Sequence, residues 1–464
     1  MRKLLALAIS VVLCVALFAG CQAPPAAGGA AAQPGAAAPP SGAATPDGGA
    51  PAPAEPVTLR YWFEGAGPER TVIHMQMIDE FNAMDNNITI EPTYLDIVAG
   101  IEQLNVAWVG RHMPDVMVAM GSWQASMFVQ GMALQLDDKF AAWDESAQFE
   151  EIHVRSIREM DAIGGNRLFA IPYGSNLNGI WYRADIFEEA GLASPTTWDN
   201  FFYSVEALTR PNEAGLMEFG HALRGGSNGP RQFLNVIISY VGYDSYWCED
   251  GTAQILRSPR AVEITTRFAE ILQNGWTPES GLNDGFNEMI ANFNAEVAHT
   301  MIHNLGSFEN QRQTFEPHQY AFRPFPPAVN GHITALVETA KGVSISSITE
   351  HPEAAWELVK HVTSMENVSL YNEAVGELPV RYDSAAQGWM WEAPHMRHLP
   401  EYIEAEKLIV AIPTYIPDYN AIQNGWAAPA FQEMLVGLIT PEQWLIGWAE
   451  RVEAAYEEFQ RHVG

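Results

Sequence analysis

Basic residues are scarce in this sequence. Its 464 residues include 25 Lys and Arg against 56 Asp and Glu, which gives a formal net charge of -31 at pH 7. An acidic surface of this size repels phosphate backbones, whereas nucleic-acid binding depends on Lys and Arg that neutralise phosphates. We therefore expect no nucleic-acid partner. With 47% hydrophobic residues, including 14 Trp, 15 Tyr and 21 Phe, the chain has the composition of a globular protein.

Cysteine is rare as well, with three in the chain. Two of them, Cys14 and Cys21, lie in the N-terminal segment, so Cys248 has no partner cysteine in the remainder of the chain. We expect no intramolecular disulfide in the exported protein. CxxC pairs, P-loops and EF-hand loops are also missing from the sequence, and we expect neither a cofactor nor a metal.

Long apolar segments are limited to the N-terminus, where two basic residues precede an apolar run at residues 4–18. This run is short for a membrane-spanning helix and has the form of a secretion signal. It ends in LFAGC, in which small residues precede Cys21, and this resembles the lipobox of bacterial lipoproteins. We predict a signal peptide at residues 1–20 and lipidation of Cys21. The alternative is an ordinary signal peptide cleaved near the same place.

Residues 22–56 contain 14 Ala, 9 Pro and 6 Gly and no bulky apolar side chain that would anchor a core. This composition is typical of a linker, which as a coil would span roughly 30–40 Å. We predict that residues 21–56, the lipidated cysteine and the linker, tether a folded body of about 408 residues that begins near Val57. Since no other stretch of 18 apolar residues occurs, the membrane contact is expected through the lipid only, on the outer face of the cytoplasmic membrane.

Along the folded body, segments with the apolar spacing of a β-strand alternate with segments that have the apolar spacing of an α-helix. A β-prone run at residues 57–62 precedes apolar residues at helical spacing, and further strands are predicted at residues 88–90 and 116–120, separated by a helix. The fully apolar run at residues 116–120 predicts a strand covered on both faces of the sheet. The same alternation resumes after Leu168, includes a helix at residues 198–209 with Thr197 as its predicted cap, and continues to helices near the end of the chain. Strands alternating with helices predict an α/β fold with βαβ units and a mostly parallel sheet.

A series of short motifs follows in order along nearly the whole body. They are LRYW at 59–62, MPDV at 113–116, IPY at 171–173, IWYRADIF at 180–187, PTTW at 195–198, EAAW at 353–356 and GELPVR at 376–381. In this order they resemble the extracellular solute-binding proteins of bacterial ABC importers, specifically the sugar-binding branch that includes maltose-binding protein. Neither an internal repeat nor a transmembrane segment interrupts the series.

The resemblance implies the two-lobe, type II periplasmic-binding-protein fold, with several hinge crossings and the ligand in the cleft between the lobes. By analogy, lobe one would comprise residues 57–169 and 342–380, and lobe two residues 170–341 and 381–464. It also implies a non-catalytic monomer whose partners are a small polar solute, expected to be a sugar, and the membrane permease subunits of an ABC importer.

A sugar site needs aromatic faces against the apolar ring faces and planar polar groups for the hydroxyls. Ligands of open α/β sheets bind beyond the carboxyl ends of strands, and some of the suitable residues directly follow predicted strands. Others fall on loops where the resemblance implies contact with the ligand. The candidates are Trp62, Glu64, Ser122, Trp123, Tyr173, Asn176, Asn228, Asp284, Phe286, Asn304, Phe308 and Trp426. Trp426 is the first candidate for stacking on a sugar ring, and packing beneath the following helix is its alternative role.

Two other motifs suggest different chemistry. Residues 225–229 read GGSNG, which matches the G-x-S-x-G nucleophile elbow and would make the protein a tethered, secreted carbohydrate-active hydrolase. Gly-Ser-Asn-Gly runs are also ordinary turns, Pro230 suits the first turn of a helix, and no HGGG-type oxyanion motif is present. His299 and His303 have metal-ligand spacing, but no HExxH glutamate lies between them. Solute binding is therefore favoured over hydrolysis.

Overall fold

The computed structural model describes residues 56–65, 68–96, 99–161, 165–335, 340–399, 407–410 and 412–463. The predicted signal peptide, Cys21 and the tether up to residue 55 lie outside the described residues. The strands are Val57–Gly65 (β1), Ile88–Asp96 (β2), Val116–Ala119 (β3), Ile171–Gly174 (β4), Asn178–Arg183 (β5), Arg210–Pro211 (β6), Met217–Glu218 (β7), Thr300–Asn304 (β8), Tyr320–Pro324 (β9), Ile333–Ala335 (β10), Lys341–Ile345 (β11) and Lys407–Ile409 (β12).

The α-helices that the structure describes alternate with these strands. They are Pro68–Asn82 (α1), Gly100–Val109 (α2), Gly121–Val129 (α3), Asp137–Ala141 (α4), Glu151–Arg158 (α5), Ala184–Glu189 (α6), Trp198–Ala207 (α7), Gly229–Val241 (α8), Gln254–Arg257 (α9), Pro259–Gln273 (α10), Phe286–Asn294 (α11), Phe308–Thr314 (α12), Pro352–Val362 (α13), Met365–Val375 (α14), Tyr382–Ala385 (α15), Trp389–Glu392 (α16), Tyr419–Ile422 (α17), Ala428–Leu435 (α18) and Pro441–Val463 (α19).

The first lobe is built on a five-stranded sheet in the order β2-β1-β3-β11-β4. Strand β1 runs parallel to β2 and β3, with Tyr61 opposite Val116, and β11 is antiparallel to β3 and β4. All four residues of β3 are buried, which agrees with the fully apolar sequence predicted to be covered on both faces. Helices α1, α13 and α14 pack around this sheet and enclose one hydrophobic core.

The second lobe contains a three-stranded sheet in the order β8-β5-β9 and a larger helical layer. Helices α8, α10, α18 and α19 pack against one another, and the ring of Phe431 contacts those of Phe233 and Trp444, at centroid distances of 5.6 and 5.1 Å. Helix α7 begins at a cap that the sequence predicts: the Thr197 hydroxyl accepts a hydrogen bond from the Asn200 amide at 3.0 Å.

The prediction of a mostly parallel sheet is wrong for the second lobe. Strand β5 pairs antiparallel with both β8 and β9. The periodic pattern identifies strands but not their directions. Here the chain passes from β5 to β8 through several helices rather than through one crossover helix, and the two strands pair antiparallel. The α/β class and the two-lobe architecture are confirmed.

One crossing between the lobes lies beside the segment that follows α14. The chain leaves the first sheet after β4 and enters the three-stranded sheet at β5, and the Ser175 and Leu378 backbones exchange hydrogen bonds at 3.1 and 2.9 Å. Because β4 belongs to the first sheet and β5 to the three-stranded sheet, the first crossing comprises residues 175–177. The lobe boundaries proposed from the sequence stay predictions.

None of the helices in the described ranges is both long enough and apolar enough to cross a bilayer.

Candidate functional site

A cavity of about 410 Å³ lies where the two lobes face each other. Most of its lining residues have polar side chains, and both lobes and the first crossing contribute them. The residues lining it are Arg70, Met120, Ser122, Asn176, Asn178, Arg224, Asn228, Arg231, Gln232, Asn235, Phe286, His303, Asn304, Gly306, Glu309, Asn310, Lys341 and Glu377. Seven of them are Asn or Gln, each of which offers both a hydrogen-bond donor and an acceptor.

The first lobe supplies the ends of its central strands. Met120 follows β3 and Ser122 lies in the first turn of α3, while Arg70 comes from α1 directly after β1. These positions are at the carboxyl ends of parallel strands, where the loops converge and leave room for a ligand. Of the first-lobe residues proposed from the pattern of strand followed by helix, Ser122 is the one that lines this wall.

Behind the first-lobe wall lies a buried cluster of charges. The Lys341 ammonium is 2.5 Å from Glu377 Oε2 and 3.3 Å from Glu64 Oε1, and Arg70 is 3.4 Å from Glu64 and 2.9 Å from Glu377. The Tyr371 hydroxyl donates to Glu64. Burial alone would raise the pKa of Glu64, but Lys341 and Arg70 lower it to about 2, so the carboxylate is ionised at neutral pH.

The second-lobe wall is formed largely by α8. The backbone of Asn228, just before the helix, has a φ of 60°, and Arg231, Gln232 and Asn235 follow at spacings that place them on one helical face. Arg224 precedes this turn, and its Nε donates to the Ser227 carbonyl at 2.7 Å. The chain therefore presents two guanidinium groups and three amides from one short stretch.

The end of β8 and the start of α12 complete this wall. The Gly306 amide donates to Asn304 Oδ1 and to Asn176 Oδ1, both at 3.1 Å, which connects the first crossing with the second lobe. His303 Nδ1 is 2.7 Å from the Ser307 hydroxyl. Burial, with the nearby charge of Arg224, lowers the pKa of His303 to about 3, so its ring is neutral at pH 7.

The structure brings together five of the twelve residues proposed from sequence. Ser122, Asn176, Asn228, Phe286 and Asn304 line the same cavity.

Four further candidates lie in the first lobe beside or below the cavity. Glu64 belongs to the buried charge cluster, and Tyr173 is buried with its ring 5.7 Å from the Lys341 ammonium. Trp62 is half-buried against the first hydrophobic core, and Trp123 is buried against Gly100. None of these four side chains is among the described residues that line the cavity.

The remaining candidates in the second lobe also lie outside the lining. Asp284 Oδ2 accepts hydrogen bonds from Ser280 and Asn292, at 3.0 and 2.8 Å. Phe308 stacks on His395 at a centroid distance of 3.9 Å. Trp426 lies on a π-helical turn, Gln423–Ala427, that packs against α19.

The contact that holds Trp426 is with the last helix. The Arg451 guanidinium stands 4.0 Å from its ring centroid, and a Cβ on Gly447 would come within 2.5 Å of the indole. This arrangement is packing against a helix, but against the last helix and not beneath the following helix as the sequence-based alternative had it. The aromatic carbon face that the cavity does contain belongs to Phe286.

Sequence reasoning missed the charged residues of the cavity. Arg70, Arg224, Arg231, Lys341 and Glu377 belong to no binding motif, and their meeting requires segments far apart in the chain. The one usable signal was in α8, where Arg231, Gln232 and Asn235 break the apolar pattern of a helix that is otherwise buried.

The alternative motifs take ordinary structural roles. Ser227 is exposed in the turn before α8, where its carbonyl accepts from Arg224. His299 Nε2 is 3.0 Å from Glu218 Oε2, whereas His303 faces the cavity, so these two histidines do not converge. Within the described ranges, no group of three or more His, Cys, Asp and Glu side chains is placed to hold a metal ion.

Comparison with known proteins gives consistent relatives. The chain is 24% identical over 255 residues to a multiple sugar-binding protein of Streptococcus mutans, and the match covers 51% of this chain and 59% of that protein. It therefore spans less than two thirds of the relative's length.

Solved structures of two further proteins share the fold over almost their full length. The sugar-binding protein MalE of Xanthomonas citri matches with a TM-score of 0.70 and 15% identity, covering 87% of this chain and 98% of that one. An ABC substrate-binding protein of Listeria monocytogenes, solved in complex with cycloalternan, matches with a TM-score of 0.71 and 15% identity, covering 87% and 100%. At these identities the likeness shows the fold.

The sequence model of one family matches residues 67–369, which is well over half of the chain. This stretch includes every residue that lines the cavity except Glu377, and most of the motifs that carried the resemblance. The protein belongs to the bacterial extracellular solute-binding protein family.

Proposed function

We propose that this protein captures a sugar or oligosaccharide in the cavity between its lobes and delivers it to the permease subunits of an ABC importer. The observation that carries the proposal is the cavity itself, at about 410 Å³ and lined by seven Asn and Gln side chains. Sugar hydroxyls both donate and accept hydrogen bonds, and amide side chains match them in both directions. The volume falls within the range of roughly 300–1,000 Å³ typical of small-molecule sites.

The mixture of groups also suits a sugar ring. Phe286 offers an apolar face for the C–H side of a ring, while the amides of Asn228, Gln232 and Asn235 lie on the same wall for the hydroxyls. Two relatives, the multiple sugar-binding protein of Streptococcus mutans and the sugar-binding MalE of Xanthomonas citri, support the same substrate class.

Ligand capture is expected to stabilise the closed arrangement of the lobes. Arg70 of the first lobe is 3.4 Å from Glu309 of the second, and Glu69 of the first lobe forms an ion pair with Arg312 of the second. A solute that touches both walls adds further contacts that exist only when the lobes meet. The cross-lobe ion pairs and the solute therefore favour the same state.

The proposal includes no catalytic step, and it places the protein on the outer face of the cytoplasmic membrane as a monomer. Lipidation of Cys21 and the Ala-, Pro- and Gly-rich segment of residues 22–56 would hold the body there without a membrane-spanning helix. The competing function is that of a tethered carbohydrate-active hydrolase.

Calorimetric titration of the purified protein with a panel of mono- and oligosaccharides tests the proposal, with chromatography of the sugars afterwards. We expect one molecule bound per chain and every sugar recovered intact. New reducing ends would establish the hydrolase instead, and the absence of binding to any saccharide would refute sugar capture.

A further inference from the structure

The two walls of the cavity differ in whether their cationic side chains have carboxylate partners. On the first-lobe side, the two cations Arg70 and Lys341 are surrounded by carboxylates within 3.4 Å, namely those of Glu64, Glu309 and Glu377. This group has no spare positive charge for a ligand. Any anion that entered it would displace an existing ion pair, which is costly for buried partners.

The second-lobe wall has two cations of a different kind, Arg224 and Arg231. Among the residues that the structure describes, no carboxylate oxygen lies within 4.0 Å of either guanidinium, whereas the other cations of this cavity have at least one. Both side chains are partly buried and line the cavity. They keep this position in a chain of net charge -31, in which acidic partners are abundant.

Arg224 is held in place by groups that leave its charge unpaired. Its Nε donates to the Ser227 carbonyl at 2.7 Å, and its guanidinium lies 5.8 Å from the ring centroid of Phe286. The terminal nitrogens of a guanidinium fixed through Nε present two parallel donors, the geometry that carboxylate and phosphate groups accept.

The electrostatic surroundings favour an added anion. Burial, followed by repulsion from Arg231, lowers the pKa of Arg224 to about 10, and attraction to Glu288 opposes this shift. The Glu288 carboxylate is engaged by the Gly285 amide at 3.0 Å, where it caps α11. Arg224 remains charged at neutral pH, so two like charges share one wall and an anion between them would relieve the repulsion. The start of α8 on the same wall adds the positive end of a helix dipole.

We propose that the solute is an anionic saccharide, whose acidic group is bound by Arg224 and Arg231 while the amides of the cavity bind its hydroxyls. The inference rests on the proposed function and narrows it to sugars that bear a carboxylate, a sulfate or a phosphate. Phe286, beside Arg224, then lies where the ring carbons next to the acidic group would pack.

Matched pairs of sugars test this directly in the unmodified protein. Calorimetry compares galacturonate, glucuronate and their disaccharides with galactose, glucose and the corresponding neutral disaccharides, and includes glucose 6-phosphate and glucose 6-sulfate. We expect at least one acidic sugar to bind about 100-fold more tightly than its neutral counterpart, the effect of one or two charge-assisted hydrogen bonds. The arm with the tightest binding identifies the acidic group.

Variants then assign the effect to the two arginines. Arg224→Gln combined with Arg231→Gln is expected to lower affinity for the acidic sugar about 100-fold and so to abolish the preference for it over the neutral counterpart. Arg210→Gln, which removes an exposed arginine of β6 outside the cavity lining, is the matched control and should change neither. If the double variant does not fold, each single variant is measured in the same way.

The outcomes separate the two proposals. Neutral sugars that bind as tightly as their acidic counterparts would overturn the inference about charge and leave sugar capture standing. An acidic preference that survives the double variant would place the acidic group elsewhere and overturn the assignment to these arginines. Failure of every saccharide, neutral and acidic, would instead refute the proposed function.

Discussion

Replacing Lys341 with methionine tests how the charge cluster below the cavity stabilises the first lobe. Methionine keeps much of the length of the side chain but removes the ammonium, which lies 2.5 Å from Glu377 Oε2 and 3.3 Å from Glu64 Oε1. The Lys341 side chain is 5% exposed and both carboxylates are fully buried, so water cannot replace the lost charge. Glu64, Glu309 and Glu377 would then share Arg70 as their one cation within 4.0 Å among the described residues.

Breaking a buried ion pair by removing one partner costs about 3–5 kcal/mol, because it leaves a buried charge uncompensated. For units of 150–250 residues, 1 kcal/mol corresponds to about 2–4 °C in the melting midpoint. We therefore expect the first-lobe transition of Lys341→Met to fall by roughly 6–20 °C, measured by calorimetry or circular dichroism at pH 7.

A second change separates charge imbalance from lost packing. Adding Glu377→Gln to Lys341→Met removes one charge of each sign, and this double variant should be more stable than Lys341→Met alone. The matched control is Lys139→Met, whose partner Glu353 lies 2.6 Å away with 84% of its side chain exposed. Exposed pairs contribute about 0–1 kcal/mol, so the control should melt within a few degrees of the wild type.

The expected cost of an unpaired buried carboxylate would be contradicted by a Lys341→Met variant that melts within about 2 °C of the wild type. A double variant less stable than both single variants would contradict it as well. Either result would mean that the cluster is solvated enough to tolerate an unpaired carboxylate.

Four further results are expected. The lowered pKa of Glu64, about 2, means that this carboxylate stabilises the native state above about pH 4.5, so acid titration of stability should show a loss as pH falls from 4.5 towards 2; a flat profile there would contradict its pairing. Phe286→Ala should weaken sugar binding by about 1.5–3 kcal/mol, whereas Tyr203→Ala, an exposed aromatic outside the cavity lining, should not change it; equal effects would exclude stacking on Phe286. Cys21→Ser should release the protein into the medium or leave it unprocessed, and anchoring at the wild-type level would exclude the lipid. Small-angle scattering with a saturating sugar should give a smaller radius of gyration than without it, since only the closed lobes present both walls to the sugar, and an unchanged radius would exclude closure.

Local chemistry allowed much of the fold to be predicted. The apolar run of β3 identifies a strand covered on both faces, Thr197 identifies the start of α7, and the order of short motifs identifies the family. These features depend on neighbouring residues, whose spacing and caps act within a few positions along the chain. These features can therefore be recognised without knowing what each helix or strand packs against.

Contacts between residues far apart in the chain decide the directions of the strands and which residues line the cavity. The antiparallel pairing of β5 depends on a route through several helices, and no local pattern records that route. Trp426 shows the same limit for a single side chain. Its sequence neighbourhood permits both stacking on a ligand and packing on a helix, and the position of Arg451 on α19 selects the second arrangement.

The sequence by itself determined the acidic balance, the alternation of strands and helices, the family, and a pool of polar and aromatic residues suited to a sugar. Only the tertiary structure decided which of these residues meet. Arg70 and Glu377 are 307 positions apart and 2.9 Å from each other, and two arginines, one before α8 and one in its first turn, remain without a carboxylate partner within 4.0 Å among the described residues. The physical reason is that burial of the two apolar cores fixes where the lobes face each other, and charge in the cleft is set by which segments arrive there.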